Sequence, residues 1–334
     1  MKFNLIIRIF TTTLLLALGF TNAAAATMSA QQLREQFNQQ VRGKTIVFVP
    51  VSYALPLTRI WGQTMQAEAQ ALGIHFKIRD PNFNVRREVQ VVSAMVALKP
   101  DVLVVHNPNV QVLANALKAV QKAGTYVIQV NMASRFKTDA YVGVNAHVMG
   151  LKIAKGVVET CLADGARSHK VAIMQGELTS AYNIGIAEAI QSVFAEHPEI
   201  DVVSNQAANW ISKVAHDKAM VVLQAHPDLC AYLGFWSGQD VGIAQAVRQA
   251  GLKGKVKIFT SGGSEPPVCE YIRKGLIYRS YSYQAEAQAH QIMAIAKFLL
   301  QSGMPPGSFH TAIYSPITVL STETVGQDSC TQVK

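Results

Sequence analysis

Short apolar runs alternate with longer helical periods along almost the whole chain, and this alternation limits the possible folds more than any single motif does. Strand-like runs fall at Ile46–Val51, His75–Ile78, Val102–Val105 and Tyr126–Val130. A second set follows at Val171–Met174, Asp201–Val203, Cys230–Phe235, Lys257–Thr260 and Ile277–Tyr281. Helical periods lie between them, such as Leu57–Leu72 and Arg86–Leu98, with Val85, Val89, Val92 and Val96 along one face. A further amphipathic helix, Ser29–Val41, precedes the first strand, with Leu33, Phe37 and Val41 four apart. Strands that are apolar throughout belong to parallel sheets covered on both faces. The order therefore predicts an α/β fold with parallel sheets and right-handed crossovers.

The pattern also repeats. Lys99-Pro100-Asp101 opens one strand directly after a helix, and His226-Pro227-Asp228 opens another in the same way. In both, the proline stops the helix and an apolar run follows. The next helix ends at Lys122-Ala123-Gly124 in the first copy and at Gln249-Ala250-Gly251 in the second. Pro100 to Gly124 is 24 positions (124 − 100), and Pro227 to Gly251 is also 24 (251 − 227). A chain of 334 residues exceeds one ordinary core. The equal spacing predicts two similar Rossmann-like lobes with a cleft between them.

In open α/β sheets the binding crevice lies beyond the carboxyl ends of the strands. In the first lobe the residues there are Tyr53, Asp80, His106, Asn107, Asn131 and Met132. In the second they are Tyr182, Asn183, Trp210, Trp236, Ser264 and Tyr283. Two of the three tryptophans thus fall at strand ends. A ring with an apolar face and a polar edge suits a sugar or polyol, whose CH face stacks on it while amides and hydroxyls bind its OH groups. Trp61, inside the first long helix, fits either the core or the cleft.

Apolar residues make up 49% of the chain and charged residues 15%, so it can bury large cores and is not disordered. Lys2 and Arg8, the apolar run around Leu14–Leu18 and the small residues Asn22–Ala26 read as a secretory signal peptide over residues 1–26, cleaved near Ala26. The apolar stretch is too short to span a bilayer. Export places the protein in the periplasm. Formal charge is +9, or +7 without Lys2 and Arg8 (9 − 2). The only basic doublets are Arg86-Arg87 and Arg273-Lys274, with no basic stripe and no interleaved aromatics, so nucleic acid is not an expected partner. Cys161, Cys230, Cys269 and Cys330 are an even set in an oxidising compartment. At least one disulfide is expected, with three possible pairings.

Catalytic signatures are missing. There is no G-x-S-x-G elbow, no H-E-x-x-H pair, no G-x-x-x-x-G-K-[ST] loop and no G-x-G-x-x-G fingerprint. Ser261-Gly262-Gly263-Ser264 lacks the lysine of a phosphate loop and reads as a tight turn, with Ser264 near a helix N-cap. The nine histidines have no paired helical spacing, and His106 is the one at the cleft rim. Asp240 lies three residues after Ser237 and reads as part of a capping box opening a helix over Val241–Ala250. No enzyme activity, cofactor or metal is expected.

At these residues the chain resembles the ribose-binding-protein-like group of periplasmic sugar-binding proteins, which have the type I periplasmic binding protein fold. The likeness runs from about Thr45 to Leu320. It is carried by Pro56 with Ala67-Glu68-Ala69 and Leu72-Gly73, by Lys99-Pro100-Asp101, and by Ala123-Gly124-Thr125-Tyr126-Val127-Ile128. Thr179-Ser180-Ala181, His226-Pro227-Asp228 and Gly242 near Ala250-Gly251 extend it. The resemblance implies a sugar held between two lobes joined by a three-segment hinge, with crossings near Val144-Asn145, Tyr283-Gln284 and Tyr314–Ile317. It implies lobes of residues 27–144 plus 284–313 and 145–283 plus 314–334, the helix Gln284–Leu300 returning to the first. All four cysteines then fall in the second lobe. It further implies a monomer that delivers its ligand to an ABC importer, or alternatively a sensor that docks on a membrane kinase or chemoreceptor.

The polar set departs from the ribose-binding pattern. Leu55 and Leu57 flank Pro56 where that pattern has Asn and Phe, and its Asp-Arg pair becomes Asn131-Met132. Its second-lobe Arg, Asn, Asp and Gln become Asn183, Trp236, Gly263 and Tyr283, and only the aromatic at Trp210 keeps its type. Charged hydrogen bonds are worth about 1.5–3 kcal/mol each. Their loss points away from ribose towards a less hydroxylated, larger or partly apolar ligand.

Overall fold

The computed structural model describes residues 28–326 and 329–330. The signal-peptide segment and its cleavage point lie outside the described residues. The chain opens with α1 (Ala30–Val41), β1 (Thr45–Val49), α2 (Pro56–Ala71), β2 (His75–Ile78), α3 (Val85–Leu98), β3 (Val102–Val105), α4 (Ala114–Lys122), β4 (Tyr126–Val130) and β5 (Ala140–Gly143). It continues through α5 (Ala146–Cys161), β6 (Lys170–Gln175), α6 (Ala181–Ala195), β7 (Asp201–Ala207), α7 (Ser212–Ala225) and β8 (Ala231–Gly234). Then come α8 (Ser237–Gln249), β9 (Lys257–Gly262), α9 (Pro266–Arg273), β10 (Arg279–Ser282), α10 (Ala285–Gln301), β11 (Thr311–Tyr314) and β12 (Thr318–Leu320).

The strands form two six-stranded sheets of the same order, β11-β5-β4-β3-β1-β2 and β12-β10-β9-β8-β6-β7. The first is parallel throughout. In the second only β12 runs antiparallel, to β10. This is the expected two-lobed α/β architecture. The sequence repeat has a physical counterpart in it. Asp101, before β3, receives the Thr45 N–H at 2.8 Å and the Lys44 ammonium at 3.1 Å. Asp228, before the corresponding β8, receives the Lys170 ammonium at 2.9 Å. Each Pro-Asp thus ties the start of one strand to the start of its neighbour. Gly124 and Gly251 both turn with positive φ (99° and 70°), which glycine adopts without strain.

The chain passes between sheets three times: from β5 into α5, from β10 into α10, and from β11 to β12. α10 packs on α2 and α1 beside the first sheet, whereas α5 packs on α6 beside the second. β5, β11 and β12 have no counterpart among the apolar runs read from sequence. They are three or four residues long, and β11 alternates between half-buried and exposed positions, so no continuous apolar run marks it. β7 is longer than expected because its outer half, Ser204-Asn205-Gln206, is polar and lies on the sheet edge.

One helix start needs correction. α8 begins at Ser237, four residues before the expected Val241, with Trp236 as its N-cap residue and no side-chain cap. Asp240 does not form a capping box. It is fully buried and accepts from Thr260 Oγ1 and from Gln239 Nε2. Gly234 makes room for it, since a Cβ there would sit 2.0 Å from the carboxyl.

Both possible disulfides form. Cys161 at the end of α5 joins Cys230 before β8, with Cα atoms 5.9 Å apart, and Cys269 in α9 joins Cys330. Neither bridge reaches an element of the first sheet.

Candidate functional site

The carboxyl ends of both sheets face one small cavity with about 50 Å³ of free space. Four apolar side chains of the first lobe, Val51, Leu55, Leu57 and Phe83, form one wall, with His106, Asn131 and Met132 beside them. The second lobe contributes only aromatics: Tyr182, Trp210, Trp236, and Tyr283 at the second crossing.

Local chemistry explains how these rings are held. Asn209 and Trp210 are consecutive residues with positive φ (51° and 64°), an uncommon conformation for non-glycine residues. The Trp210 backbone N–H donates to Gln239 Oε1 at 2.8 Å. Its ring covers Gly176, where a Cβ would lie 2.0 Å from the indole, and Gly238 leaves similar room for Trp236. Trp210 and Trp236 meet at 6.4 Å and 80°, Tyr182 and Tyr283 at 6.4 Å and 80°, and Tyr182 and Trp210 at 6.3 Å. Four rings therefore form a corner, with two contacts near-perpendicular and the Tyr182–Trp210 contact tilted at 50°.

The first-lobe wall depends on residues behind it. Asp80 Oδ1 receives the backbone N–H groups of Tyr53 (3.0 Å) and Asn82 (2.8 Å), clamping the loops after β1 and β2 together. The Phe83 N–H then donates to the Val51 carbonyl at 2.8 Å, which puts the Phe83 ring on the rim. Asn107 donates to Gln129 Oε1 (2.8 Å) and to the Met132 carbonyl (2.7 Å), fixing the turn that carries Asn131 and Met132. Across the opening, Val110 N–H donates to the Thr179 carbonyl at 3.2 Å, so the lobes touch and the cleft is closed.

Of the eleven residues expected at the site, Asn131, Met132, Tyr182, Trp210, Trp236 and Tyr283 line this cavity. Five do not, and each has another use. Tyr53 packs over Gly62, and Asp80 clamps two loops. Asn107 is engaged as above. Asn183 accepts from the Gly176 N–H and donates to Gln175 Oε1, both at 2.8 Å. Ser264 pairs with Ser282 Oγ. Small polar side chains at strand ends satisfy backbone groups before they reach outwards. Trp61 is core: it is fully buried, edge-on to His106 at 5.1 Å. Sequence reasoning did not place Val51, Leu55, Leu57 and Phe83 on the wall. Leu55 carried a signal, being apolar where the resembled pattern has Asn, and Leu57 stands where that pattern is already apolar. Phe83, in a Pro-Asn-Phe-Asn turn, carried none.

The site contains no ionised group. No Lys, Arg, Asp or Glu lines it. Burial lowers the His106 pKa to about 3, so its imidazole is neutral. Behind the rings, burial raises Asp240 to about 8 and also raises Glu265, despite the N–H groups around the latter. The Trp236 N–H lies near enough to the Glu265 carboxyl to favour its charged form, but makes no hydrogen bond to it. No cluster of three or more metal-ligating side chains occurs among the described residues.

The family model for the periplasmic binding protein domain matches residues 46–304, well over half of the chain. The chain belongs to the periplasmic binding protein family. It is 30% identical over 125 residues to the D-allose-binding periplasmic protein of Escherichia coli K12, a match covering 37% of this chain and 39% of that one. It is 21% identical over 238 residues to the D-apiose import binding protein of Actinobacillus succinogenes, covering 70% and 72%. The match thus spans less than half of the first relative and most of the second. Among solved structures, a Caulobacter myo-inositol binding protein superposes with a TM-score of 0.75 at 20% identity, covering 84% of this chain and 94% of that one. In this periplasmic binding protein the cavity is lined by residues beyond the strand ends of both sheets, with Tyr283 of the second crossing in its wall.

Proposed function

We propose that the protein captures a small uncharged ligand of the sugar or polyol class in the interlobe cavity and delivers it to a membrane ABC importer as a monomer. The observation that carries this reading is the four-ring aromatic corner facing an aliphatic wall across the interlobe cavity. Rings of this kind bind CH faces, and a cleft walled by two lobes makes more contacts when closed. The chain would be exported, cleaved near Ala26 and act in the periplasm, where an oxidising environment suits its two disulfides. The lobes would be residues 27–144 plus 284–313 and 145–283 plus 314–334, hinged at the crossings. The relatives' import and binding roles for D-allose and D-apiose support a sugar-class ligand.

Two measurements test this. Ligand should shift the population towards closure. Small-angle scattering is expected to show a smaller radius of gyration at saturation than in ligand-free protein, and identical profiles would exclude the closing mechanism. Trp210→Ala and Trp236→Ala should each weaken ligand binding by roughly tenfold or more, since an aromatic contact adds about 0.5–1.5 kcal/mol beyond its buried area. Titration followed by intrinsic fluorescence reads this directly. If both variants bind like the wild type, the cavity is not the ligand site.

A further inference from the structure

The cavity's polar atoms are unevenly engaged, and their balance identifies the ligand more closely. Ser261 Oγ donates to the Phe235 carbonyl at 2.6 Å, so the Tyr182 hydroxyl, 2.7 Å away, must give its own proton to Ser261. Tyr182 therefore presents a ring and not a free hydroxyl. Asn131 Oδ1 accepts from Gln288 Nε2 at 2.8 Å and from the Val144 N–H at 3.4 Å, leaving only its NH₂ group without a protein partner. The Trp210 indole N–H is buried with no partner. Neutral His106 has an unpartnered Nδ1, and the Tyr283 hydroxyl makes no hydrogen bond among the described residues. The groups left for a ligand are thus three sets of pure donors, on Asn131, Trp210 and Trp236, and two groups that can act either way.

Among the described residues, no lining side chain offers a dedicated, unengaged acceptor to the cavity. Both nearby carboxyls sit behind the lining. Asp240 is engaged by Thr260 and Gln239, and Glu265 Oε2 by Ser237 and the Gly263 N–H, while Glu265 Oε1 is buried without a partner but outside the lining. A sugar hydroxyl must give a proton as well as receive one. A hexopyranose carries a hydroxyl on nearly every ring carbon, and most of those protons would be buried here without a partner. Leaving a buried donor unmet is costlier than never having had it. A charged sugar fits no better, because nothing in the lining could pair with its charge.

We propose that the ligand is an uncharged, hydroxyl-poor sugar, a deoxy or O-methylated one. Its ring and ether oxygens accept from Asn131 and Trp210, and its CH or CH₃ face lies in the corner formed by Tyr182, Trp210, Trp236 and Tyr283. This rests on the sugar-class reading above and narrows it.

Calorimetric titration of the purified mature protein with matched pairs tests it. Suitable pairs are D-galactose with D-fucose, L-mannose with L-rhamnose, and D-glucose with 3-O-methyl-D-glucose. In at least one pair the deoxy or methylated member should bind tenfold or more tightly than its parent, which corresponds to about 1.4 kcal/mol. A ratio below tenfold in every pair that binds overturns this inference and leaves sugar capture standing. Folded protein that binds no member overturns both. Met132→Gln places an amide acceptor in the wall at similar volume. It should shrink the ratio by improving the parent sugar, and an unchanged ratio in a folded variant would refute the acceptor shortage.

Discussion

Replacing Cys161 and Cys230 together by alanine is expected to destabilise the second lobe by about 4 kcal/mol. The bridge joins residues 69 apart in sequence. In the chain-entropy account, a loop of that length is worth roughly 4 kcal/mol by restricting the unfolded chain. Both sulfurs belong to buried residues, Cys161 closing α5 and Cys230 opening β8, so the bridge holds a helix against the central strands of its sheet. Urea unfolding followed by tryptophan fluorescence gives a lobe-specific reading, because Trp210 and Trp236 report the second lobe and Trp61 the first. The midpoint should fall for the second-lobe signal and move little for Trp61. Coincident midpoints for variant and wild type, both unreduced, would show that the bridge contributes nothing. Ligand closure should survive, because neither disulfide crosses the cleft. A design that placed covalent staples across the opening would lock it.

The legibility of this chain divides along physical lines. The central strands β1, β3, β4, β6, β8 and β9 are covered on both faces, so burial writes itself into the sequence as unbroken apolar runs. The paired Pro-Asp and Ala-Gly landmarks were readable for a different reason. Helix termination and left-handed turns demand specific residues, and both lobes meet that demand at the same spacing. β5, β11 and β12 were not readable, being too short or too exposed for any period to show. At the site, the aromatic residues were legible because large rings at strand ends have few other places to go. Asp80, Asn107, Asn183 and Ser264 were misleading. A polar residue at a strand end can serve a ligand or the backbone, and composition does not distinguish the two. What decides is whether a nearby loop leaves an N–H or carbonyl unmet, and that depends on contacts between residues distant in sequence, such as Asn183 with Gly176 or Asn107 with Met132.

Raising the pH from 5 to 9 is expected to destabilise the first lobe, and Glu88→Gln is expected to abolish most of that loss. Glu88, in the first turn of α3, is 1% exposed, and its Oε1 has no hydrogen-bond partner. Burial alone raises its pKa from 4.5 to about 9, so the carboxyl is neutral in the folded protein at pH 7. In the unfolded chain the proton leaves near pH 4.5. Between those two values the native state binds one more proton than the unfolded state, so stability falls as pH rises. At about 1.4 kcal/mol per pH unit, the loss accumulated by pH 7 is of the order of 3 kcal/mol. Below pH 4.5 both states hold the proton and the penalty vanishes. The amide introduced by Glu88→Gln cannot ionise, so the variant should overtake the wild type in stability as pH rises and show a flatter profile. Asp240, raised to about 8, acts in the same direction in the second lobe, so the Trp61 signal is the one to follow for Glu88. Parallel pH profiles for variant and wild type between pH 5 and 9 would mean that Glu88 finds water or a partner when it ionises. α3 begins directly after the Asn82-Phe83 turn on the rim of the cavity. A charged Glu88 would therefore loosen the wall that meets the ligand, and capture should weaken at alkaline pH in the wild type more than in the variant.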